Sequence, residues 1–155
     1  MTLDIFISYS HQDQAFRSEL EKHLRSLQRQ KIISSWSDCD IVPGTEWRVQ
    51  IMDHLTTSQI ILLLISVDFI DSDFCYSTEM MLALARHKAG QACVIPIILR
   101  PCDWKEAPFA ELQALPTEGK PVTRWLTHDD AFENVIQGIR VAIDAQKKKT
   151  AISHP

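Results

Sequence analysis

Residues 60–65 of this chain read IILLLI, six aliphatic residues in succession with no polar side chain for either face of a strand. A strand exposed on one side alternates apolar with polar residues; one that is apolar throughout needs cover on both sides, which a parallel sheet flanked by helices provides. The run is far too short to cross a bilayer, which takes about 20 apolar residues in a helix. It ends at Ser66 and passes into VDFIDSDFCYSTEM, so a buried strand hands over to a helix that carries a carboxylate, Glu79. In open α/β sheets that carboxyl edge is where ligands bind.

The rest of the chain repeats the pattern. An apolar strand at residues 5–7 is followed by a polar turn, 8–13, and a helix with Phe16, Leu20, Leu24 and Leu27 on one face. A second short strand at 32–35 is followed by a polar loop, 37–45, with the turn pair Pro43-Gly44, then a helix with Trp47, Ile51 and Leu55 at helical spacing. That spacing places Trp47 in the core. After the strand at 60–66 a helix is expected from Ser72, as N-cap, to about Lys88, stopped by Gly90, which puts Glu79 in its second turn. A fourth strand spans 94–99. Residues 101–121 hold four prolines with Trp104 and Phe109, which predicts an irregular packed connection, with Arg100 and Trp104 engaged in pairing and packing around it. A brief fifth strand is expected at 122–124. The last helix carries Phe132, Val135, Ile136, Ile139 and Ile143 and leaves through Lys147, Lys148 and Lys149.

Five alternations of strand and helix imply a flavodoxin-like three-layer sandwich. Its parallel sheet is expected to have five strands in the order 2-1-3-4-5, with helices on both faces. At 155 residues and 17.7 kDa the chain suits one domain, expected over 1–147, with 148–155 as a tail or the start of a linker. A net charge of −4 supplies no basic footprint for nucleic acid or an anionic membrane. Cys39, Cys75, Cys93 and Cys102 stand 36, 18 and 9 residues apart, without the close pairing of a zinc or redox motif, so no metal is expected. With no leader segment in view, a cytoplasmic location is expected.

The sheet order places a ligand at the carboxyl ends of strands 1 and 3, at residues 8–11 and 66–73. A phosphorelay receiver would need acidic residues just after strand 1, where Tyr9, Ser10 and His11 stand instead. No G-x-G-x-x-G and no G-x-x-x-x-G-K stretch exists, so a Rossmann turn and a P-loop are both excluded.

Four blocks, DIFISYSHQD, WSDCDIVPGTEW, IILLLISVDFIDSDFCYSTEM and VIPIILRPCDW, together resemble, in order and spacing, the Toll/interleukin-1 receptor (TIR) domain family in its bacterial form. The resemblance spans roughly residues 3–145. It implies a module that associates with copies of itself. In many prokaryotic and plant members the module cleaves the nicotinamide–ribose bond of NAD+ as a cell-suicide or signalling step. On this chain that would mean NAD+ as substrate with no further cofactor, products nicotinamide and ADP-ribose or a cyclic isomer, and a role in bacterial immunity such as antiphage defence. Other TIR domains would be partners, and a sensor, repeat or ATPase domain a neighbour in a longer chain. The family's glutamate falls on Glu79. Cleavage leaves positive charge on the ribose, as in glycoside hydrolysis, and a carboxylate beside it would stabilise that charge.

The resemblance assigns substrate contacts to Tyr9, Ser10, His11, Trp36, Phe74 and Cys75, and self-association to a loop marked by Asp38, Asp40, Pro43 and Gly44. Each has a plainer reading beside it. Ser10 equally caps a helix, Trp36 equally plugs the sheet edge and Phe74 equally packs in the core, while for His11 a solvated loop position is the favoured reading. The acidic loop equally is only solvated. Many family members carry Trp four residues before the glutamate, where this chain has Cys75. A nucleophilic Cys75 is disfavoured for want of an activating His nearby. Two other classes stay open: a TIR adaptor that does no chemistry, and a sensor that binds NAD+ without cleaving it.

Overall fold

The structure, a computed structural model, describes residues 2–37, 43–44 and 46–153, with the side chains of 76 and 150–153 outside that description. Four strands, β1 (Leu3–Ser8), β2 (Ile33–Ser37), β3 (Ile60–Ile65) and β4 (Cys93–Ile98), form one parallel sheet in the order β2-β1-β3-β4. Five helices accompany them: α1 (Gln14–Arg29), α2 (Trp47–Thr57), α3 (Val67–Asp71), α4 (Thr78–Lys88) and α5 (His128–Ser153). Ile5 pairs with Ile60 and Ile60 with Cys93, so β3 lies between β1 and β4.

All six residues of β3 are fully buried. Its side chains alternate between two cores. Ile60, Leu62 and Leu64 join Leu20, Leu24 and Leu27 of α1 and Phe132, Val135 and Ile139 of α5. Ile61, Leu63 and Ile65 join Leu55 of α2, Phe69 of α3 and Met80 and Ala83 of α4. The unbroken apolar run is thus the middle layer of a three-layer sandwich.

The expected fifth strand does not form. Residues Val122–Arg124 make a 3-10 turn whose Val122 is buried, and the N–H of Thr123 donates to the carbonyl of Leu99 at 3.1 Å. The free edge of β4 is met instead by a single parallel bridge, Ile97 with Leu115. Pro116 directly follows Leu115 and Pro121 directly precedes Val122, and a residue without an N–H cannot extend a ladder. The sheet therefore has four strands, and the order 2-1-3-4-5 stops at β4.

The single helix expected from Ser72 is divided into a 3-10 turn, Asp73–Tyr76, and α4, and a further short helix, α3, precedes it. Ser66 caps α3 by accepting from the N–H of Phe69, and Ser77 caps α4 by accepting from the N–H of Met80. Three serines in this stretch offer the backbone an alternative to a continuous helix. Glu79 consequently stands in the first turn of its helix rather than the second. At the far end of α2, Arg86 donates to the carbonyls of Leu55 (2.7 Å) and Ser58 (2.6 Å), satisfying groups that the helix leaves unpaired. Among the described residues no helix is long and apolar enough to cross a membrane.

Candidate functional site

A cleft of about 370 Å³ opens at the carboxyl edge of the sheet, beyond the ends of β1 and β3. Phe6, Ile51 and Phe69 supply its apolar floor, and the segment Ser8 to Gln12, leaving β1, supplies one wall. Ser72 and Phe74, from the connection between α3 and α4, supply another, and Trp47 stands on the first residue of α2. The chain enters this region because β1 and β3 both end here, in Ser8 and Ile65, before turning into helices.

Of the residues expected at the site, Tyr9, Ser10, His11 and Phe74 line the cleft. Ser10 caps the turn His11–Asp13, its hydroxyl accepting from the N–H of Gln12 at 3.3 Å. The Tyr9 ring stacks on that of His11, with centroids 5.9 Å apart. Trp36 is not among the lining residues. It lies between Phe6 and His54, its ring 4.0 Å from the His54 centroid and nearly parallel to it. Cys75 is fully buried in the core shared with α2 and α4, and burial pushes its thiol above its ordinary range, so it offers neither a lining surface nor a ready thiolate. Pro43 and Gly44 are exposed, and Gly44 has φ of +86°, a conformation that suits glycine. Asp38 and Asp40 lie outside the described residues.

Glu79 is half-buried in the first turn of α4 and is not among the residues lining the cleft. It follows Phe74 by five residues. A carboxylate is electrostatically favoured at a helix N-terminus.

Arg100, expected to be engaged in pairing, belongs to a polar network whose partners sequence reasoning did not name. Asp13 is only 1% exposed; its Oδ2 accepts from the Ser66 hydroxyl, and its Oδ1 accepts from Nη2 and Nε of Arg100 at 2.9 and 3.2 Å. The same Nη2 donates to Oδ2 of Asp68 in α3 at 2.6 Å. Asp68 first, and Asp13 after it, hold the Arg100 guanidinium above its ordinary value, against the opposing effect of burial. One side chain just past β4 thus ties the turn after β1 to α3, and both of these segments contribute cleft walls. The signal in the sequence was position: Asp13, Ser66, Asp68 and Arg100 all follow closely on strand ends. Trp47 was missed for a different reason. It is 56% exposed and lines the cleft, although its spacing from Ile51 and Leu55 had placed it in the core.

Among the described residues no group of three or more His, Cys, Asp or Glu is placed to hold a metal ion. The cleft offers flat apolar walls, a row of hydroxyls and backbone groups after β1, and an imidazole. Such a surface suits a planar base and a ribose.

An all-parallel sheet covered on both faces, with an aromatic-walled cleft at its carboxyl edge, defines the class: an open α/β domain of the kind that binds ligands beyond its strand ends. Residues 5–136 match the family model described as TIR domain, and the chain belongs to that family. It is 51% identical over 138 residues to the uncharacterized protein y4lF of Sinorhizobium fredii (strain NBRC 101917 / NGR234), a match covering 89% of this chain and 43% of that protein. The chain therefore spans less than half the length of that relative. Among solved structures it is similar to the TIR domain of the Toll-related receptor TRR-2 from Hydra magnipapillata, with a TM-score of 0.54 and 20% identity over 89% of this chain and 98% of that one. That likeness speaks for the fold alone.

Proposed function

We propose that this TIR domain is an NAD+ glycohydrolase whose carboxylate is Glu79 and whose activity depends on self-association. The observation that carries the reading is the aromatic-walled cleft at the carboxyl edge, with Phe74 on its wall and Glu79 five residues further on, at the start of α4. In the reaction the bond between ribose C1′ and the nicotinamide nitrogen breaks, and its electron pair leaves with neutral nicotinamide. The positive charge stays on the ribose, where the Glu79 carboxylate stabilises it. Water then adds to C1′ and releases a proton, giving ADP-ribose; attack by an adenine nitrogen in place of water gives a cyclic isomer. Nicotinamide is a sufficient leaving group without a general acid, so the proposal assigns chemistry to one carboxylate, Glu79.

The position of Glu79 outside the cleft lining fits a domain that is silent as a single copy. Contact between copies would act on the connection Asp73–Tyr76 or on the loop around Pro43-Gly44 and bring carboxylate and ribose together. The same position is the observation favouring the other reading, a non-catalytic module for TIR–TIR contacts, in which Glu79 does no chemistry. Nicotinamide release from NAD+ measured over a series of chain concentrations, with and without a crowding agent, separates the two. Under the proposal the rate per molecule climbs with concentration; an absence of release under every assembled condition leaves the adaptor.

A further inference from the structure

The described residues lining the cleft include Trp47 and Phe74 but no lysine or arginine, so among them a dinucleotide would find no cation for its pyrophosphate. Two arginines lie over aromatic residues of the lining. The Arg17 guanidinium is 5.5 Å from the Tyr9 ring centroid, but Arg17 belongs to α1, and Tyr9 packs in the core on that face of the sheet, away from the floor of Phe6 and Phe69. The Arg48 guanidinium is 5.2 Å from the Trp47 ring centroid, and Arg48 is exposed. Trp47 itself is 56% exposed, which leaves part of its indole open for a flat ligand to stack on.

We propose that Trp47 and Arg48, the first two residues of α2, hold the adenylate end of a dinucleotide, Trp47 by stacking on adenine and Arg48 by pairing with the phosphate next to it. The proposal rests on the NAD+ reading of the cleft and adds the direction in which the ligand lies. Phe74 leads within five residues to Glu79, so the bond to be broken belongs on that side; Trp47 opens a separate helix and takes the far end. An indole face stacks on any flat base, and an arginine beside it adds charge that a phosphate uses.

The test uses the 155-residue chain carrying Glu79→Gln, so that ligand is bound and not consumed. Two ligands are compared by calorimetry, NAD+ and nicotinamide mononucleotide, the second lacking the adenylate. Trp47→Ala is expected to weaken NAD+ binding about tenfold, with Trp47→Phe within about threefold of the parent, because a phenyl ring still stacks. Arg48→Gln is expected to weaken NAD+ about fivefold at low salt, and less as salt is raised. None of the three changes should alter binding of the mononucleotide. Both sites are at the surface, and sedimentation of each variant is recorded beside the parent.

Variants that bind NAD+ as the parent does, or that lose the mononucleotide equally, overturn the assignment while the dinucleotide reading stands. A Trp47→Ala chain with altered sedimentation and unaltered NAD+ affinity also overturns it, and gives the indole to contact between copies. If the parent binds neither ligand, the NAD+ reading fails and this assignment falls with it.

Discussion

Arg100 and Asp13 are 87 residues apart in the chain, yet two guanidinium nitrogens of the one sit 2.9 and 3.2 Å from a single carboxylate oxygen of the other. Asp13 is 1% exposed, whereas the Arg100 side chain is 32% exposed. The buried member is therefore the one that depends on the pair. Removing a partner from a buried ion pair leaves an uncompensated charge, which costs far more than the pair itself contributes. Arg100→Ala is expected to destabilise the chain by about 2–3 kcal/mol, below the usual range for fully buried pairs because water reaches the arginine side. Urea denaturation measures it. Arg100→Lys should recover only part of the loss, since an ammonium cannot reproduce the fork that reaches Asp13 and Asp68 together.

Ser77 separates the 3-10 turn from α4 and supplies the hydroxyl that caps it. Ser77→Ala is expected to cost about 1 kcal/mol, or about 2–4 °C in melting temperature for a chain of this size. Because the cap fixes where α4 begins, the same change should reduce nicotinamide release by more than its effect on stability explains. Melting and release are measured on the same preparation; equal and proportionate losses would confine Ser77 to a stabilising role.

Cys75, four residues before Glu79, is enclosed in the core with a thiol made less acidic by burial. Cys75→Ala should leave nicotinamide release from NAD+ intact at a modest loss of stability. Native chain should also resist a thiol reagent at this position, read by mass spectrometry. Loss of turnover at unchanged stability would instead give the sulfur a part in the chemistry.

His87 accepts the N–H of Val94 at Nδ1, 3.0 Å away, and burial first, with Lys149 after it, depresses its imidazole below the ordinary 6.5. The folded chain therefore holds the neutral form and the unfolded chain takes the proton more readily. Stability from this group is fully present above the unfolded value and is lost as pH falls through the folded one. The melting-temperature difference between the parent and His87→Gln should shift against the parent on going from pH 7.5 to about pH 5. A difference independent of pH would contradict the assignment.

The fold was legible where side-chain pattern alone decides it. The unbroken run of β3 required cover on two faces, and Leu20, Leu24 and Leu27 required a helix to provide part of it. The reading failed where backbone chemistry outvoted pattern. Val122 is apolar and buried, but Pro121 directly before it cannot donate to a ladder, and Ser77 divides the helix expected from Ser72 into a 3-10 turn and α4. Of the residues lining the cleft, Tyr9, Ser10 and His11 were legible because the sheet order names its own carboxyl edge, and Phe74 through the family resemblance. The Asp13–Arg100 pair was not, because it joins two distant strand ends and leaves no spacing to read. Trp47 shows the limit of helical periodicity, which assigns a residue to a face but not to a depth at the end of the helix.

The central claim turns on one carboxylate. Nicotinamide released from NAD+ should be quantified for the parent chain and for Glu79→Ala at matched, self-associating concentrations, with melting temperature and sedimentation recorded for both. The account predicts release by the parent that falls by at least about a hundredfold in Glu79→Ala, with fold and assembly unchanged, as expected when a group stabilising the transition-state charge is removed. Equal release from both chains, or none from either, would contradict it.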